Sequence, residues 1–210
     1  MTRTAFFSKI INMKFVLATH NQYKKLEFED LAKTLGVLIL DNPVQDEPLE
    51  TGKTFVENAL IKARHTSGFV DTWVMAEDSG LCVPTLGGKP GIYSARFAGS
   101  NAQSKDNIIK LQELLQTNDL GEKVYAYYYA IIVLLQHPND PQPIIEEGIM
   151  QGYVTTISQQ KFDGFGYDPI FIPSGEKQQL SQLPKEYKQK HSHRKLAFQR
   201  VVDKFKMLKN

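Results

Sequence analysis

Two adjacent carboxylates, Glu77 and Asp78, close the short apolar run Trp73-Val74-Met75-Ala76 and are followed by Ser79 and Gly80. Carboxylates at the end of a buried strand leave the core, where a pair can hold a hard divalent cation or one can draw a proton from water. Consecutive strand side chains point to opposite faces, so these two converge on one ion only if the strand breaks, and Ser79-Gly80 permits a break. Taken alone, the stretch reads equally well as a polar turn. The next residues shift the balance: Gly80, Gly87, Gly88 and Gly91, with Pro84 and Pro90, lead to Arg96 between small and aromatic residues. Backbone in such a loop can approach a bound group closely.

Further clusters carry compatible chemistry. Thr19-His20-Asn21-Gln22-Tyr23-Lys24 joins an apolar run to a helical pattern. Its short polar side chains, the unpaired N–H groups of a helix start and a lysine suit a phosphate, although ordinary capping by Asn21 beside a solvated Lys24 accounts for them as simply. Asn58 and Lys62, four residues apart, share a helix face away from the apolar stripe. Phe162-Asp163-Gly164-Phe165-Gly166-Tyr167-Asp168-Pro169 places two glycines between aromatics. That makes a poor core strand but a good loop for stacking Phe165 on a base while backbone groups read its edge. Ser192-His193-Arg194 opens a last helix, where the dipole disfavours cations unless an anion meets them.

The elements that must position these groups follow from periodicity. Residues 14–18 read as a buried strand, and Phe28, Leu31, Ala32 and Leu35 recur at helical spacing before Gly36 ends the helix. Residues 36–40 form a second strand and 41–49 an acidic loop. Thr54 with Glu57 makes a capping box for a helix buried through Val56, Ala59, Leu60 and Ala63, and Ser67-Gly68 turns the chain into the strand that delivers Glu77 and Asp78. Strand-helix-strand-helix-strand over residues 14–78 indicates an α/β fold. Ser104 is expected to cap a helix containing Ile108, Leu111 and Leu115. Residues 124–135 and 144–155 are expected to pair across the turn Pro138-Asn139-Asp140-Pro141. Tyr125, Tyr127 and Tyr129 line one face, read as packing or a dimer surface before a base-stacking platform. Residues 174–190 read as polar and flexible, and the last helix as buried through Ala197, Val201, Phe205 and Leu208.

With 210 residues and 41% hydrophobic content, the chain suffices for one domain or for two lobes sharing a sheet. No apolar run reaches the roughly 18 residues of a membrane span. The balance of 25 Lys+Arg against 23 Asp+Glu is too even for nucleic-acid binding by bulk charge. Neither membrane nor nucleic acid is therefore expected as a partner. A lone cysteine, Cys82, excludes an internal disulfide and a cysteine-based zinc cluster, reads as a buried thiol, and makes a cytoplasmic location the expectation. Residues 1–12 lack a convincing signal peptide and precede Met13, so they read as an N-terminal extension open to disorder, with 13–210 as a single domain.

Glu77-Asp78-Ser79-Gly80-Leu81, followed by Gly87-Gly88-Lys89-Pro90-Gly91-Ile92-Tyr93-Ser94-Ala95-Arg96-Phe97, resembles the signature of the inosine triphosphate pyrophosphatase family. Thr-x-Asn-x-x-Lys at 19–24, Glu50 before Thr51-Gly52, Phe165-Gly166-Tyr167-Asp168-Pro169 and Ser192-His193-Arg194 match in order, so the resemblance covers residues 15–198. His20 stands where many members have Gly, and Glu77 where many have Asp. The resemblance implies a long mixed central sheet with flanking helices, two lobes around a nucleotide cleft, and a homodimer. It also implies Mg²⁺-dependent hydrolysis of ITP, dITP and XTP to the nucleoside monophosphate and pyrophosphate, which clears such nucleotides from the pool.

By the same resemblance, Thr19, His20, Asn21, Gln22, Tyr23 and Lys24 hold the triphosphate and Lys62 faces it as a catalytic residue. Glu50 with Glu77 or Asp78 binds the metal, and Asp78 is the general base. Ser79, Arg96, Phe165, Gly166, Tyr167, Asp168, Lys188, His193 and Arg194 complete the nucleotide site. Inosine and xanthosine carry a 6-oxo acceptor where adenine has an amino donor, so donors from residues 165–168 or from His193 and Arg194 would leave adenine unpaired. Two other readings stay open. One is a pyrophosphatase for modified or pyrimidine nucleotides; the other is a non-catalytic nucleotide- or RNA-binding protein, against which the acidic residues Glu50, Glu77 and Asp78 argue.

Overall fold

The first apolar run forms β1 (Met13–Leu17), and Asn21 caps the next element, the helix α1 (Gln22–Leu35), by accepting from the N–H groups of Tyr23 and Lys24. Gly36 ends α1 in the left-handed region at φ 69°, a conformation without steric penalty only for glycine, and β2 (Val37–Leu40) returns beside β1 in parallel. The expected capping box starts α2 (Phe55–Ser67), which crosses to β3 (Val74–Cys82), again parallel to β1. These are the crossovers that the strand-helix-strand order requires. The computed structural model describes residues 13–156 and 164–209. The expected N-terminal extension and two motif residues, Phe162 and Asp163, lie outside the described residues.

β3 departs from expectation. It does not break at Ser79-Gly80 but runs on to Cys82. Gly80 serves a different purpose there: a Cβ at this position would overlap the carbonyl oxygen of Gly91 and the hydroxyl of Ser94. Ser94 in turn accepts from the N–H of Leu81 at 3.0 Å, so the glycine-rich loop is laid against the strand.

The later elements are α3 (Ser104–Thr117), β4 (Lys123–Leu135), β5 (Ile144–Thr155), β6 (Phe171–Pro173), α4 (Lys185–His191) and α5 (His193–Lys209). Among the described residues, six strands make one mixed sheet in the order β2-β1-β3-β4-β5-β6, with β5 and β6 antiparallel. The cap of α3 lies one residue earlier than expected: the N–H of Gln103 donates to the Asp106 carboxylate at 2.8 Å. The stretch read as flexible contains α4, a seven-residue helix too short and too charged to show an apolar stripe. In α5, Phe198 and Val202 join Ala197, Val201 and Phe205 inside, whereas Leu208 is 62% exposed because the buried stripe ends one turn before the helix does. Among the described residues, no helix is long and apolar enough to cross a membrane.

The described chain forms two compact units, and β3, β4 and β5 contribute to both. In the first unit (13–78, 131–148 and 194–209), Phe15 and Trp73 each meet Phe205 edge to face, and Phe28 meets Phe198. In the second (79–130 with the described residues of 149–193), Leu81, Ile108, Leu111, Leu115, Val154 and Phe171 are fully buried.

Candidate active site

In the first unit, α2 aims Asn58 and Lys62 at Asp78, midway along β3, and its first turn is closed by Glu57. Glu57 accepts from the N–H groups of Lys53 and Thr54 at 2.7 and 2.8 Å. Asn58, fully buried, accepts from the N–H of Gly52 at 2.9 Å and donates to Asp78 Oδ2 at 3.3 Å. One turn on, Lys62 Nζ donates to Glu50 Oε1 at 2.8 Å and to Asp78 Oδ1 at 3.1 Å. An ammonium is thus held between a loop carboxylate and a strand carboxylate, and the helix face shared by Asn58 and Lys62 is not a solvated one. Burial lowers the affinity of Lys62 for its proton, but the charges of Asp78 and Glu50 outweigh it and leave the pKa above the ordinary lysine value. Burial pushes the Asp78 carboxyl above its usual range, against the pull of Lys62 and Lys24. A carboxylate so placed holds a proton more readily than one at the surface, as a general base requires.

Glu77 belongs to a different network. Since β3 does not break, Glu77 and Asp78 take opposite faces of the strand. Glu77 meets Lys24 Nζ at 2.8 Å and Arg194 Nε at 3.0 Å, and Arg194 Nη1 reaches Glu27 at 3.0 Å. The cation in the first turn of α5 therefore finds its anions within the protein itself, which offsets the dipole conflict. Among the described residues, no group of three or more His, Cys, Asp and Glu side chains gathers as a metal site. The pair Glu50 and Asp78, already sharing one cation, nonetheless suits Mg²⁺, which is typically held by one or two carboxylates together with substrate phosphates.

The turn before α1 lies in the same unit. Thr19 Oγ1 accepts from the N–H of Asn21 at 3.2 Å, and Asn21 is occupied as the helix cap. Lys24 is not solvated; its side chain is only 17% exposed against Glu77. Gln22 and Tyr23 are exposed. His20 leans on the acidic loop, with Nδ1 2.9 Å from Glu47 and Nε2 2.8 Å from the carbonyl of Val44. Hydrogen bonding to Val44, and then to Glu47, raises its pKa.

In the second unit, Gly164 at φ 134° and Gly166 at φ 60° give the aromatic loop turns that other residues resist. Phe165 is half-buried. Tyr167 is buried, and its hydroxyl donates to the carbonyl of Ser94 at 2.9 Å, which ties this loop to the glycine-rich one. Buried Asp168 accepts from Tyr128 at 3.0 Å on Oδ1 and from Lys188 on Oδ2. The His193 ring lies against the Tyr128 ring, 4.9 Å away and within 9° of parallel. Ser79 is half-buried beside Gly80, and Arg96 lies 5.6 Å over the Tyr93 ring. Cys82 is buried, and desolvation raises its thiol to about 11, so it is no nucleophile.

Two residues of these networks, Glu27 and Tyr128, escaped the sequence reading, and a third, Asn58, was read without its partner. Glu27 carries no local signal. Asn58 shows its helix face in the sequence, but not its place at Asp78. Tyr128 alternates with the tyrosine row, so its opposite facing was legible, and a phenol on the inward face was the available hint that a polar partner waits there.

A family model described as the Ham1 family matches residues 15–204. A dITP/XTP pyrophosphatase of Legionella pneumophila (strain Paris) is 42% identical over 190 residues, 90% of this chain and 96% of that protein. One from Xanthomonas campestris pv. campestris (strain 8004) is 42% identical over 196 residues, 92% and 97% of the two chains. Among solved structures, a HAM1 protein from Coxiella burnetii superposes with a TM-score of 0.82 at 34% identity, over 93% of this chain and 99% of the other. The Staphylococcus aureus Ham1 protein gives 0.77 at 32% identity, over 92% and 98%. A match that runs from β1 into α5, with relatives this similar along nine-tenths of the sequence, places the chain in the Ham1 family.

Proposed function

We propose that this chain hydrolyses non-standard purine nucleoside triphosphates, namely ITP, dITP and XTP, to the nucleoside monophosphate and pyrophosphate, and so cleanses the nucleotide pool. The observation that carries the reading is the Lys62 ammonium held between Glu50 and Asp78, in a chain 42% identical to proteins named dITP/XTP pyrophosphatase. Thr19 through Lys24 and Lys62 meet the negative charge of the polyphosphate, and Asp78 takes the proton from the attacking water. Glu50 and Asp78 would hold Mg²⁺, which when bound polarises the phosphoryl group. Glu77 orients Lys24 and Arg194 and is not needed as a ligand. Phe165 through Asp168, with Lys188 and His193, are read as the base-facing groups.

We further read the chain as a cytoplasmic homodimer. Tyr125, Ile149 and Tyr153 are 40%, 40% and 42% exposed, and the two tyrosine rings lie 6.2 Å apart. An aromatic surface of this kind suits a second copy.

Hydrolysis of ITP, dITP, XTP, ATP and GTP in ¹⁸O-labelled water with Mg²⁺ tests the reading. The first three should turn over well above the last two, with label in the monophosphate. Comparable kcat/KM for all purines, or label in pyrophosphate, would overturn it.

A further inference from the structure

We propose that Tyr128 is a positioning residue that sets base selectivity: its hydroxyl fixes Asp168 and, through it, Lys188, while its ring fixes the imidazole of His193. This rests on the reading of Asp168, Lys188 and His193 as base-facing groups.

Tyr125, Tyr127 and Tyr129 take one face of β4, and Tyr128 takes the other, 8% exposed, with its ring 4.7 Å from that of Phe171. A phenylalanine would fill this apolar surrounding without a polar atom to desolvate, so the hydroxyl must be matched by a partner. Its partner is Asp168 Oδ1. Asp168 is itself only 4% exposed, and a buried carboxylate persists only when its oxygens are engaged. Tyr128 takes one oxygen and Lys188 the other, which sets the plane of the carboxylate and therefore the place of the ammonium.

Lys188 has three N–H donors, and its side chain remains 35% exposed, so donors can face a ligand. A held ammonium meets a 6-oxo acceptor and opposes a 6-amino donor, whereas a lysine free to swing away would tolerate both. The parallel stack locks the His193 ring in the same way. One side chain thus restrains two groups assigned to the base.

The test is Tyr128→Phe in the full chain, which keeps the ring and its packing and removes the hydroxyl alone. With dITP, XTP, dATP and dGTP as substrates, the dITP/dATP ratio of kcat/KM should fall about tenfold, the scale on which a misplaced polar contact weakens discrimination. The change should enter through KM for dITP, with kcat close to wild type; the buried Asp168 oxygen left without its donor should also lower Tm by several degrees. Tyr128→Leu, which also removes the stack on His193, should lower selectivity further. A selective wild type with an unchanged ratio in Tyr128→Phe would overturn the role of Tyr128 alone. Equal losses of kcat/KM on every substrate, with the dITP/dATP ratio unchanged, would reduce Tyr128 to a structural residue and overturn it as well. A wild type that does not prefer dITP would overturn the functional reading, and this inference with it.

Discussion

Replacing Lys62 by methionine keeps the aliphatic stem and removes the charge that Glu50 and Asp78 share. Two hydrogen bonds to charged groups are lost, at 2.8 and 3.1 Å. Each is worth about 1.5–3 kcal/mol. Glu50 is 25% exposed and recovers part of this from water, whereas Asp78, at 9%, recovers little. The expected loss is therefore about 3 kcal/mol, the lower end of the range for a buried pair deprived of one partner. At roughly 2–4 °C per kcal/mol, Tm should fall by about 6–12 °C.

The pH dependence has a definite sign. Because its pKa is raised in the folded protein, Lys62 contributes stability that is fully present below the ordinary lysine value of 10.5 and is lost as pH rises through the folded one. The deficit of Lys62→Met should thus be constant around neutrality. It should narrow in acid, where protonating Glu50 and Asp78 removes their repulsion, beginning early because Asp78 already titrates high. Mg²⁺ should raise the Tm of the variant more than that of wild type, since no ammonium competes for the two carboxylates. Thermal unfolding followed by circular dichroism reads all three effects. A variant that melts with wild type at neutral pH, with no larger response to Mg²⁺, would refute the bridging role.

Asp78→Asn should fold and lose turnover by about 10²–10⁴, the usual contribution of a general base; near-normal activity in the folded variant would assign the proton to another group. For His20, whose pKa is raised chiefly by the Val44 carbonyl, stabilisation is present below the ordinary value of 6.5 and lost as pH rises through the folded one. The Tm gap between wild type and His20→Ala, worth at most about 1 kcal/mol for an exposed pair, should therefore close between mildly acid and mildly alkaline pH. A gap that does not change with pH would exclude the ring's charge as its source.

Local pattern in the sequence determined much of this protein. The helical spacing of Phe28, Leu31 and Ala32, the glycine stop at 36, the Thr54–Glu57 capping box and the alternating tyrosines are each set by residues within a turn or two of one another, and each stands in the structure as read. Asp78, Asp168 and His193 stood out by residue type at a strand end, in a glycine-interrupted aromatic loop and in the first turn of a helix, whereas the roles of Glu50 and Lys62 were legible only through the family resemblance.

The partners of those residues were not legible. Asp78 draws Lys62 from 16 residues away, Glu77 draws Arg194 from 117, and Arg194 draws Glu27 from 167. Whether β3 breaks at Gly80 depended on the Gly91 backbone that lies against it, which no pattern within the strand records. Sequence periodicity specifies which face a side chain takes, since that follows from 3.6- and 2-residue geometry along one element. What waits on that face is a matter of how distant elements pack, and only there do Glu77 and Asp78, neighbours in the chain, become members of separate charge networks.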